Sequence, residues 1–491
     1  MNWKSILGLR FIGVVLVLAL VVAIPVGYVA ATERDSDWGR GHHFGHFIID
    51  PIKTDTGYIA GTMIGDIGSE VRIYRGIPYA APPVGDLRWK PPQPVTPWKG
   101  IRESTKFSLY SPQAFPALPV YGGIKESEMG EDCLYLNVLT PAKKENERLP
   151  VMVWFHGGGL SRGGGNSSLY NLPYLSQHGV VLVSVTHRLG PFGYMAHPLL
   201  TAESPDHASG NYGQLDLIAA LEWVKKNIAA FGGDPRCVTI FGESGGGAKV
   251  LWLMSSPLSK GLFHRAIVES GGAGGAAPLN QVEQYGVNLA NKLVVSDLAG
   301  LRAKTWQEII TAALTPGSGY ADVQTVDAWS LLDTPLHIFQ AGSQKDVPFM
   351  IGINEKDIPS VFTGTQDLVS TMKPLNSKNY VYLFTFVTTD WRMEIKAPHA
   401  MELAYVFHGY GLLPLLVGNY VQGVTNPNPK TDWMDDWVSE AMMTMWAQFA
   451  ETGNPSVKGF VRWPVYQYAT DQYLKIDYPL QVESGFSTLV R

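Results

Sequence analysis

One serine of this chain lies among glycines in a setting that could expose a nucleophile. The stretch FGESGGGAKV, residues 241–250, follows a run of β-forming residues, and helical character begins after Ser244. In a Gly-x-Ser-x-Gly turn between a strand and a helix the backbone is crowded, so glycines such as Gly242 and Gly246 are needed. The serine hydroxyl then projects from the carboxyl end of the sheet. The stretch therefore predicts nucleophilic catalysis at Ser244.

A serine nucleophile also needs a base to take its proton, a group that orients the base, and donors for the developing oxyanion. The sequence VWFHGGGL, residues 153–160, ends a strand pattern with three glycines whose amides could face a substrate carbonyl. We expect the amides of Gly158, Gly159 and Gly245 to form this oxyanion hole. A glycine-rich loop without a catalytic task is the alternative interpretation.

The candidate nucleophile and oxyanion donors must be presented by a sheet and its helices. Short β-branched runs alternate with helical patterns, which is typical of a largely parallel sheet covered by helices on both faces. The predicted fold class is therefore α/β. The clearest helix spans residues 214–231, where apolar residues recur at helical spacing before two glycines. The clearest strand runs occupy residues 150–155, 179–187, 237–241 and 347–353.

The composition is that of a globular protein without a nucleic-acid binding surface. The chain has 491 residues, of which 45% are hydrophobic and 16% charged, and its formal net charge is -5. This balance provides no basic patch, so nucleic acid is not expected as a partner. Cys133 and Cys237 are far apart and lack the spacing of zinc ligands, so we expect no metal site from them and at most one disulfide.

The amino-terminal segment differs from the rest of the chain. Lys4 and Arg10 precede an apolar run over residues 11–24, and small residues follow up to Ala31. This arrangement predicts a signal peptide cleaved near Ala31, and hence a secreted or periplasmic protein. An uncleaved anchor over residues 11–31 is the alternative, and it would hold the protein at a membrane.

Residues 32–50 are predicted to form a flexible linker. Three histidines in the sequence GRGHHFGH could hold a metal ion there, but the neighbouring glycines and the lack of periodicity favour the linker. Residues 51–491 contain no internal repeat or low-complexity segment. We expect one continuous domain of catalytic size over that range.

Four longer stretches are distinctive, and they are distributed over most of the chain. They are RGIPYAAPPVGDLRW (75–89), EDCLYLNVLTP (131–141), FGGDPRCVTIFGESGG (231–246) and FAETGNP (449–455). Together they resemble the type B carboxylesterases, the cholinesterase-like branch of the α/β-hydrolase superfamily. The resemblance implies an α/β-hydrolase domain over residues 51–491 that hydrolyses a small-molecule carboxylic ester through an acyl-enzyme intermediate. It implies neither a metal nor an organic cofactor.

The resemblance also assigns the remaining catalytic roles. The sequence GINEKD ends in Asp357 where the family has a glutamate, so Asp357 is the implied acid and Glu355 its rival. The sequence APHAMELAYVF resembles the stretch around the family's catalytic histidine, and it selects His399 rather than His408. Glu243 resembles a buried glutamate that influences this histidine electrostatically, although a packing role would look the same in sequence.

The chain departs from the family pattern at several positions. The cysteine that the family pairs with Cys133 is absent, and Ser111 is in its place, so Cys133 is predicted to be a free, buried thiol. The loop over residues 111–131 contains no tryptophan, whereas cholinesterases use one there to bind choline, so choline esters are disfavoured. Lys249 stands where the family tends to have a small polar residue.

A further departure is the small number of residues between the implied acid and the implied base. Asp357 and His399 are separated by only 42 positions, fewer than in familiar members, although a strand pattern over residues 379–386 is kept. In the family, the missing excursion helps to wall the active-site gorge. The resemblance therefore implies a shallower cleft that prefers short acyl chains and tolerates large alcohols.

Two alternatives to a carboxylesterase follow from the same residues. An amidase or lipase is the nearer one, because the sequence defines neither the leaving group nor the acyl length. A non-catalytic adhesion protein is the other, since some relatives keep the fold and lose the nucleophile. The intact serine, aspartate and histidine argue against the adhesion protein.

Overall fold

A computed structural model describes residues 50–66, 69–114, 124–421, 426 and 428–491. The predicted signal peptide, its alternative as an anchor, and the linker histidines lie outside the described residues. Among the helices that are described, none combines the length and apolar character that crossing a membrane requires.

The strands of the described chain belong to one large sheet and two small ones. In sequence order they are β1 (Ile52–Lys53), β2 (Tyr58–Ala60), β3 (Thr62–Ile64), β4 (Val71–Pro78), β5 (Ile101–Glu103), β6 (Tyr135–Thr140), β7 (Leu149–Phe155), β8 (Val181–Val185), β9 (Gly233–Glu243), β10 (Arg265–Glu269), β11 (Ala276–Pro278), β12 (Gln324–Val326), β13 (Phe349–Asn354), β14 (Asn379–Phe384), β15 (Gln472–Ile476) and β16 (Gln481–Ser484).

The large sheet has 11 strands in the order β16, β15, β14, β13, β10, β9, β7, β8, β6, β4 and β3. Neighbours from β15 to β8 pair in parallel, whereas the outer pairs are antiparallel. Every residue of β8 is buried, as expected for a strand covered on both faces. The predicted α/β class with a mostly parallel sheet is confirmed. The small sheets contain β1, β2 and β5, and β11 with β12.

Helices cover both faces of the large sheet. Alternate residues of β7 enter two separate apolar cores: Val153 packs with the helices Tyr212–Asn227 and Gly245–Ser255, and Trp154 packs with the helix Trp433–Thr452. The helices are α1 (Tyr174–Gln177), α2 (Gly190–Tyr194), α3 (Pro198–Glu203), α4 (Tyr212–Asn227), α5 (Gly245–Ser255), α6 (Leu279–Lys292), α7 (Leu298–Ala303), α8 (Trp306–Leu314), α9 (Pro335–Ala341), α10 (Pro359–Thr371), α11 (Leu403–Val406), α12 (Leu413–Tyr420) and α13 (Trp433–Thr452).

Two predicted elements are present with different bounds. The helix predicted over residues 214–231 is α4 followed by a 3-10 turn, which Gly232 closes with a φ of 79°. The strand predicted over residues 237–241 is the middle of the longer β9, which extends from Gly233 to Glu243. Both differences lie at element ends, where local sequence patterns are least informative.

The topology brings the candidate site residues to one edge of the sheet. Because β7, β9, β10 and β13 are consecutive parallel neighbours, their carboxyl ends meet at that edge. The glycine loop follows β7, Ser244 follows β9, and Asp357 follows β13.

Candidate active site

Ser244 lies at the tip of a strained turn between β9 and α5. Its φ of 55° and ψ of -122° are unusual for a residue with a side chain. A Cβ at Gly242 would lie 2.6 Å from the carbonyl carbon of Gly246. A Cβ at Gly246 would lie 1.9 Å from the carbonyl oxygen of Phe155, so neither glycine leaves room for a side chain. The Ser244 amide donates to the carbonyl of Glu269 over 2.8 Å, which ties the turn to β10.

A chain of hydrogen bonds joins the candidate nucleophile, base and acid. Nε2 of His399 is 2.8 Å from Oγ of Ser244, and Nδ1 of the same ring is 2.5 Å from Oδ1 of Asp357. Asp357 and His399 are buried, whereas Ser244 is half-buried. Because a carboxylate only accepts, it binds the N–H at Nδ1 and leaves Nε2 free to accept the serine proton.

Asn354, at the end of β13, orients both the acid and the segment that carries the base. Its backbone amide donates to Oδ2 of Asp357 over 3.1 Å, and the amide of Ile358 donates to Oδ1 over 2.8 Å. The side-chain amide of Asn354 donates to the carbonyl of Pro398, 2.7 Å away and next to His399. Asn354 lies within the GINEKD stretch, although its sequence pattern predicted no role for it.

Glu355 and His408, the alternatives to Asp357 and His399, have other contacts. The carboxylate of Glu355 forms an ion pair with the ammonium of Lys396. Nδ1 of His408 is 3.0 Å from Oγ of Ser439 on α13. Neither contact involves the Ser244 hydroxyl, so the geometry favours Asp357 and His399 as the acid and base.

Glu243 contacts the same imidazole as the nucleophile. Its Oε1 is 3.1 Å from Nε2 of His399, and its side chain is 4% exposed. Burial raises the pKa of Glu243 well above the usual range, and the charges of Asp357 and Glu269 raise it further. The nearby Lys249 ammonium acts in the opposite direction. The raised pKa favours the protonated carboxyl, which brings no second full negative charge to the imidazole.

The glycine loop after β7 lies against Ser244 and the start of α5. Gly158 and Gly159 have φ angles of 88° and 64°, in the left-handed region that favours glycine. A Cβ at Gly245 would lie 2.6 Å from the amide nitrogen of Gly159, so these backbones are in direct contact. A Cβ at Gly157 would lie 3.5 Å from Cβ of Ser244. Of the predicted oxyanion donors, Gly159 and Gly245 are therefore in contact next to the candidate nucleophile, and Gly158 lies between Gly159 and Gly157 in the same loop.

Two further residues near His399 were not predicted from the sequence. Glu402 is fully buried, and it accepts hydrogen bonds from Oγ of Ser270 over 3.2 Å and from the side-chain amide of Asn354. The ring of Tyr420, the last residue of α12, lies edge-on to the imidazole with centroids 5.2 Å apart, and Tyr420 is 38% exposed. Glu402 is a carboxylate only three positions after His399, so its closeness to the base could have been predicted from the sequence. Nothing in the sequence indicates that Tyr420 lies there.

Cys133 is a free, buried thiol, as predicted. Burial raises the pKa of this thiol far above its usual range, an effect that Ser111, the residue in the place of the family's second cysteine, partly opposes. Within the part of the chain that the structure describes, no cluster of three or more His, Cys, Asp or Glu side chains is arranged to hold a metal ion.

Comparison with known proteins identifies relatives over nearly the whole described chain. The model of the Carboxylesterase family matches residues 50–370 and 360–489. Carboxylesterase 1D of Rattus norvegicus is 33% identical over an alignment of 531 positions, gaps included. The alignment covers 87% of this chain and 89% of that relative.

Two other comparisons agree with this match. Fumonisin B1 esterase of Sphingopyxis macrogoltabida is 38% identical over 309 residues, covering 61% of this chain and 55% of that relative, so this match spans about half its length. A solved PNB esterase superimposes with a TM-score of 0.78 at 28% identity, covering 88% of this chain and 96% of that structure. From the extent of the family match and of these alignments, this chain belongs to the carboxylesterase family, has the α/β-hydrolase fold and hydrolyses carboxylic esters.

Proposed function

We propose that Ser244, His399 and Asp357 are the catalytic triad that performs this hydrolysis. Oγ of Ser244 attacks the ester carbonyl carbon and gives its proton to Nε2 of His399, while the carbonyl electron pair moves onto oxygen. Collapse of this tetrahedral intermediate breaks the bond to the alcohol, which leaves with the proton from His399. Water, deprotonated by His399, then attacks the acyl carbon; the second tetrahedral intermediate breaks the bond to Oγ of Ser244, which takes the proton back from His399 as the carboxylic acid leaves. The observation that carries the proposal is the pair of hydrogen bonds of 2.8 and 2.5 Å along this chain.

The surrounding groups have supporting roles in the same proposal. Asp357 holds the N–H at Nδ1 and stabilises the imidazolium that forms. The amides of Gly158, Gly159 and Gly245 donate to the oxyanion, and the contact of Gly159 with Gly245, the residue after Ser244, supports this assignment. Glu243 influences the imidazole through its carboxyl 3.1 Å from Nε2. The chemistry requires no cofactor.

We further propose that the cleft prefers short acyl chains and tolerates large alcohols. The family model matches in two segments that meet within α10, between the acid and the base. The alignment with the rat carboxylesterase is longer than this whole chain, so that relative contains residues that this chain lacks. These observations support a missing excursion between Asp357 and His399. The partly exposed ring of Tyr420, on α12, lies next to His399, so Tyr420 is the residue that we propose lines the remaining cleft.

A series of p-nitrophenyl esters from acetate to laurate tests this preference. In a deep cleft each fully buried methylene contributes about 0.8 kcal/mol, or about fourfold in kcat/KM. A shallow cleft buries only the first few, so we expect kcat/KM to peak between acetate and hexanoate. A maximum at laurate would show a deep cleft and contradict the proposal.

Two additions sharpen this series. Tyr420→Ala should change the chain-length profile if Tyr420 lines the cleft, whereas Tyr58→Ala, at a similarly exposed tyrosine of β2 in a separate sheet, should not.

The matching p-nitroanilides test the leaving group. We expect ester turnover to exceed anilide turnover, and comparable rates would favour an amidase instead.

We also propose that the protein is exported and that its mature chain begins near Thr32. The support is the pair Lys4 and Arg10 followed by the apolar run over residues 11–24. Amino-terminal sequencing of the protein from its native source is expected to find a start close to Thr32. Recovery of Met1 on membrane-bound protein would favour the anchor.

A further inference from the structure

A buried lysine behind the glycine loop takes no part in the triad. Lys249 lies on α5, five positions after Ser244, and its side chain is fully buried. Burial lowers the pKa of its ammonium to about 7, a shift that Glu243 opposes. A fully buried lysine is rare without a partner, because its ammonium loses hydration on burial. Its partner therefore indicates what the residue does.

The partner is the first peptide of the glycine loop. Nζ of Lys249 donates a hydrogen bond to the backbone carbonyl of His156, 3.1 Å away. His156 is the residue that directly follows β7. In a trans peptide the N–H points away from the C=O, so a donor that holds the His156 carbonyl also sets the direction of the Gly157 amide.

The next peptide is held by the ring of His156. Its Nδ1 is 2.9 Å from the carbonyl oxygen of Gly157, and because a carbonyl only accepts, Nδ1 carries the hydrogen. Burial and the nearby Lys249 charge lower the pKa of His156 well below its usual range, so the ring is neutral. The Gly157 carbonyl shares its peptide with the Gly158 amide. Two successive peptide planes are thus held, and the second contains a proposed oxyanion donor.

Glu243 lies against the same loop. A Cβ at Gly157 would lie 2.7 Å from Oε2 of Glu243, whose other oxygen contacts His399. The charge of Lys249 lowers the pKa of Glu243, against the effect of burial. Lys249 therefore acts on the backbone of the glycine loop and on the carboxyl beside the base.

We propose that Lys249 is a positioning residue of the oxyanion hole: its Nζ holds the His156 carbonyl so that the following amides, including that of Gly158, face the reacting carbonyl. This inference rests on the proposed function of the triad and its oxyanion donors. Lys249 does not touch the substrate and acts through the loop. A group that orients oxyanion donors contributes to transition-state binding more than to substrate binding, so its loss lowers kcat more than it raises KM.

Lys249→Met tests the inference, because methionine is also long and unbranched but cannot donate a hydrogen bond. Loss of a direct oxyanion donor costs on the order of 100- to 1000-fold in kcat, so loss of a group that only orients one should cost about 10- to 100-fold. We expect KM for p-nitrophenyl acetate to change less than threefold. The inhibition constant of a trifluoromethyl ketone, which forms an oxyanion adduct with Ser244, should rise by the same factor as kcat falls.

Lys345→Met is the matched control. Nζ of Lys345 also donates to a backbone carbonyl, that of Ser256, over 2.6 Å, but this carbonyl follows the far end of α5. The same chemical change should therefore lower stability at most and leave kcat and ketone inhibition unchanged. Rates are expressed per active site titrated with a fluorophosphonate, so that a partly folded preparation does not mimic a lower kcat.

Lys249→Gln provides a second variant if the methionine variant does not fold. Glutamine keeps a neutral donor on a shorter side chain, and we expect a kcat between those of the wild type and a protein without the donor. If kcat and ketone inhibition stay within threefold of the wild type in the folded variant while its melting temperature falls, Lys249 serves only the stability of the fold and the inference is wrong. Failure of the wild type to form the ketone adduct at Ser244 would instead contradict the proposed function.

Discussion

Ser244→Ala is expected to lower kcat for p-nitrophenyl acetate by about a million-fold and to abolish covalent labelling by a fluorophosphonate. Alanine leaves His399 and the glycine amides in place but removes the oxygen that forms the acyl enzyme. The amides alone retain a residual acceleration of about a thousandfold over water, so the remaining rate should not be zero. Release of p-nitrophenolate measures turnover, and intact-protein mass spectrometry measures labelling.

Ser255→Ala is the matched control for this change. Ser255 lies at the end of the same helix, α5, and its hydroxyl donates locally to the carbonyl of Leu251 over 2.8 Å. We expect this variant to keep full turnover and labelling. Turnover and labelling that survive in Ser244→Ala would mean that another residue is the nucleophile.

Asp357→Asn is expected to lower kcat by about ten-thousandfold with little change in KM. Asparagine has the same shape, but its amide can donate to Nδ1 of His399 where the carboxylate accepts. The imidazole proton then resides at Nε2, which can no longer accept the proton of Ser244. The imidazolium also loses the neighbouring negative charge. Steady-state kinetics with p-nitrophenyl acetate, together with the melting temperature of the variant, measure the effect.

Glu355→Gln is the control for the acid, because the same change is made two positions away. Glu355 pairs with Lys396 at a partly exposed position, and a surface ion pair contributes little to stability. We expect kcat to remain within about twofold of the wild type. A large loss in Glu355→Gln with full activity in Asp357→Asn would reverse the assignment of the acid.

Much of the fold could be predicted because its signals are local. A parallel strand that is covered on both faces must be a continuous apolar run, and β7, β8 and β13 lie within or next to the predicted runs. The turn at Ser244 has an equally local cause. A Cβ at Gly246 would lie 1.9 Å from the carbonyl oxygen of Phe155, so this turn requires glycine there.

Element ends and side-chain partners were less predictable. Helical periodicity continues through residues 228–231, yet the last turn tightens to a 3-10 turn that Gly232 closes. Lys249 reads as one more position of a helix, and the sequence does not reveal that its Nζ reaches the carbonyl of His156. Such contacts depend on how α5 packs against the end of β7.

The sequence by itself determined the order and type of the main elements, the glycine turn at Ser244 and a short set of candidate acids and bases. Only the tertiary structure decided which carboxylate meets His399, since Asp357 turns toward the imidazole while Glu355 turns to Lys396. It alone placed Tyr420 beside that ring. The physical reason is that these partners lie on the segments that follow β13 and β14, which pair in parallel and therefore end at the same edge of the sheet. The periodicity of one strand or helix records which face is buried, but not which distant side chain it meets.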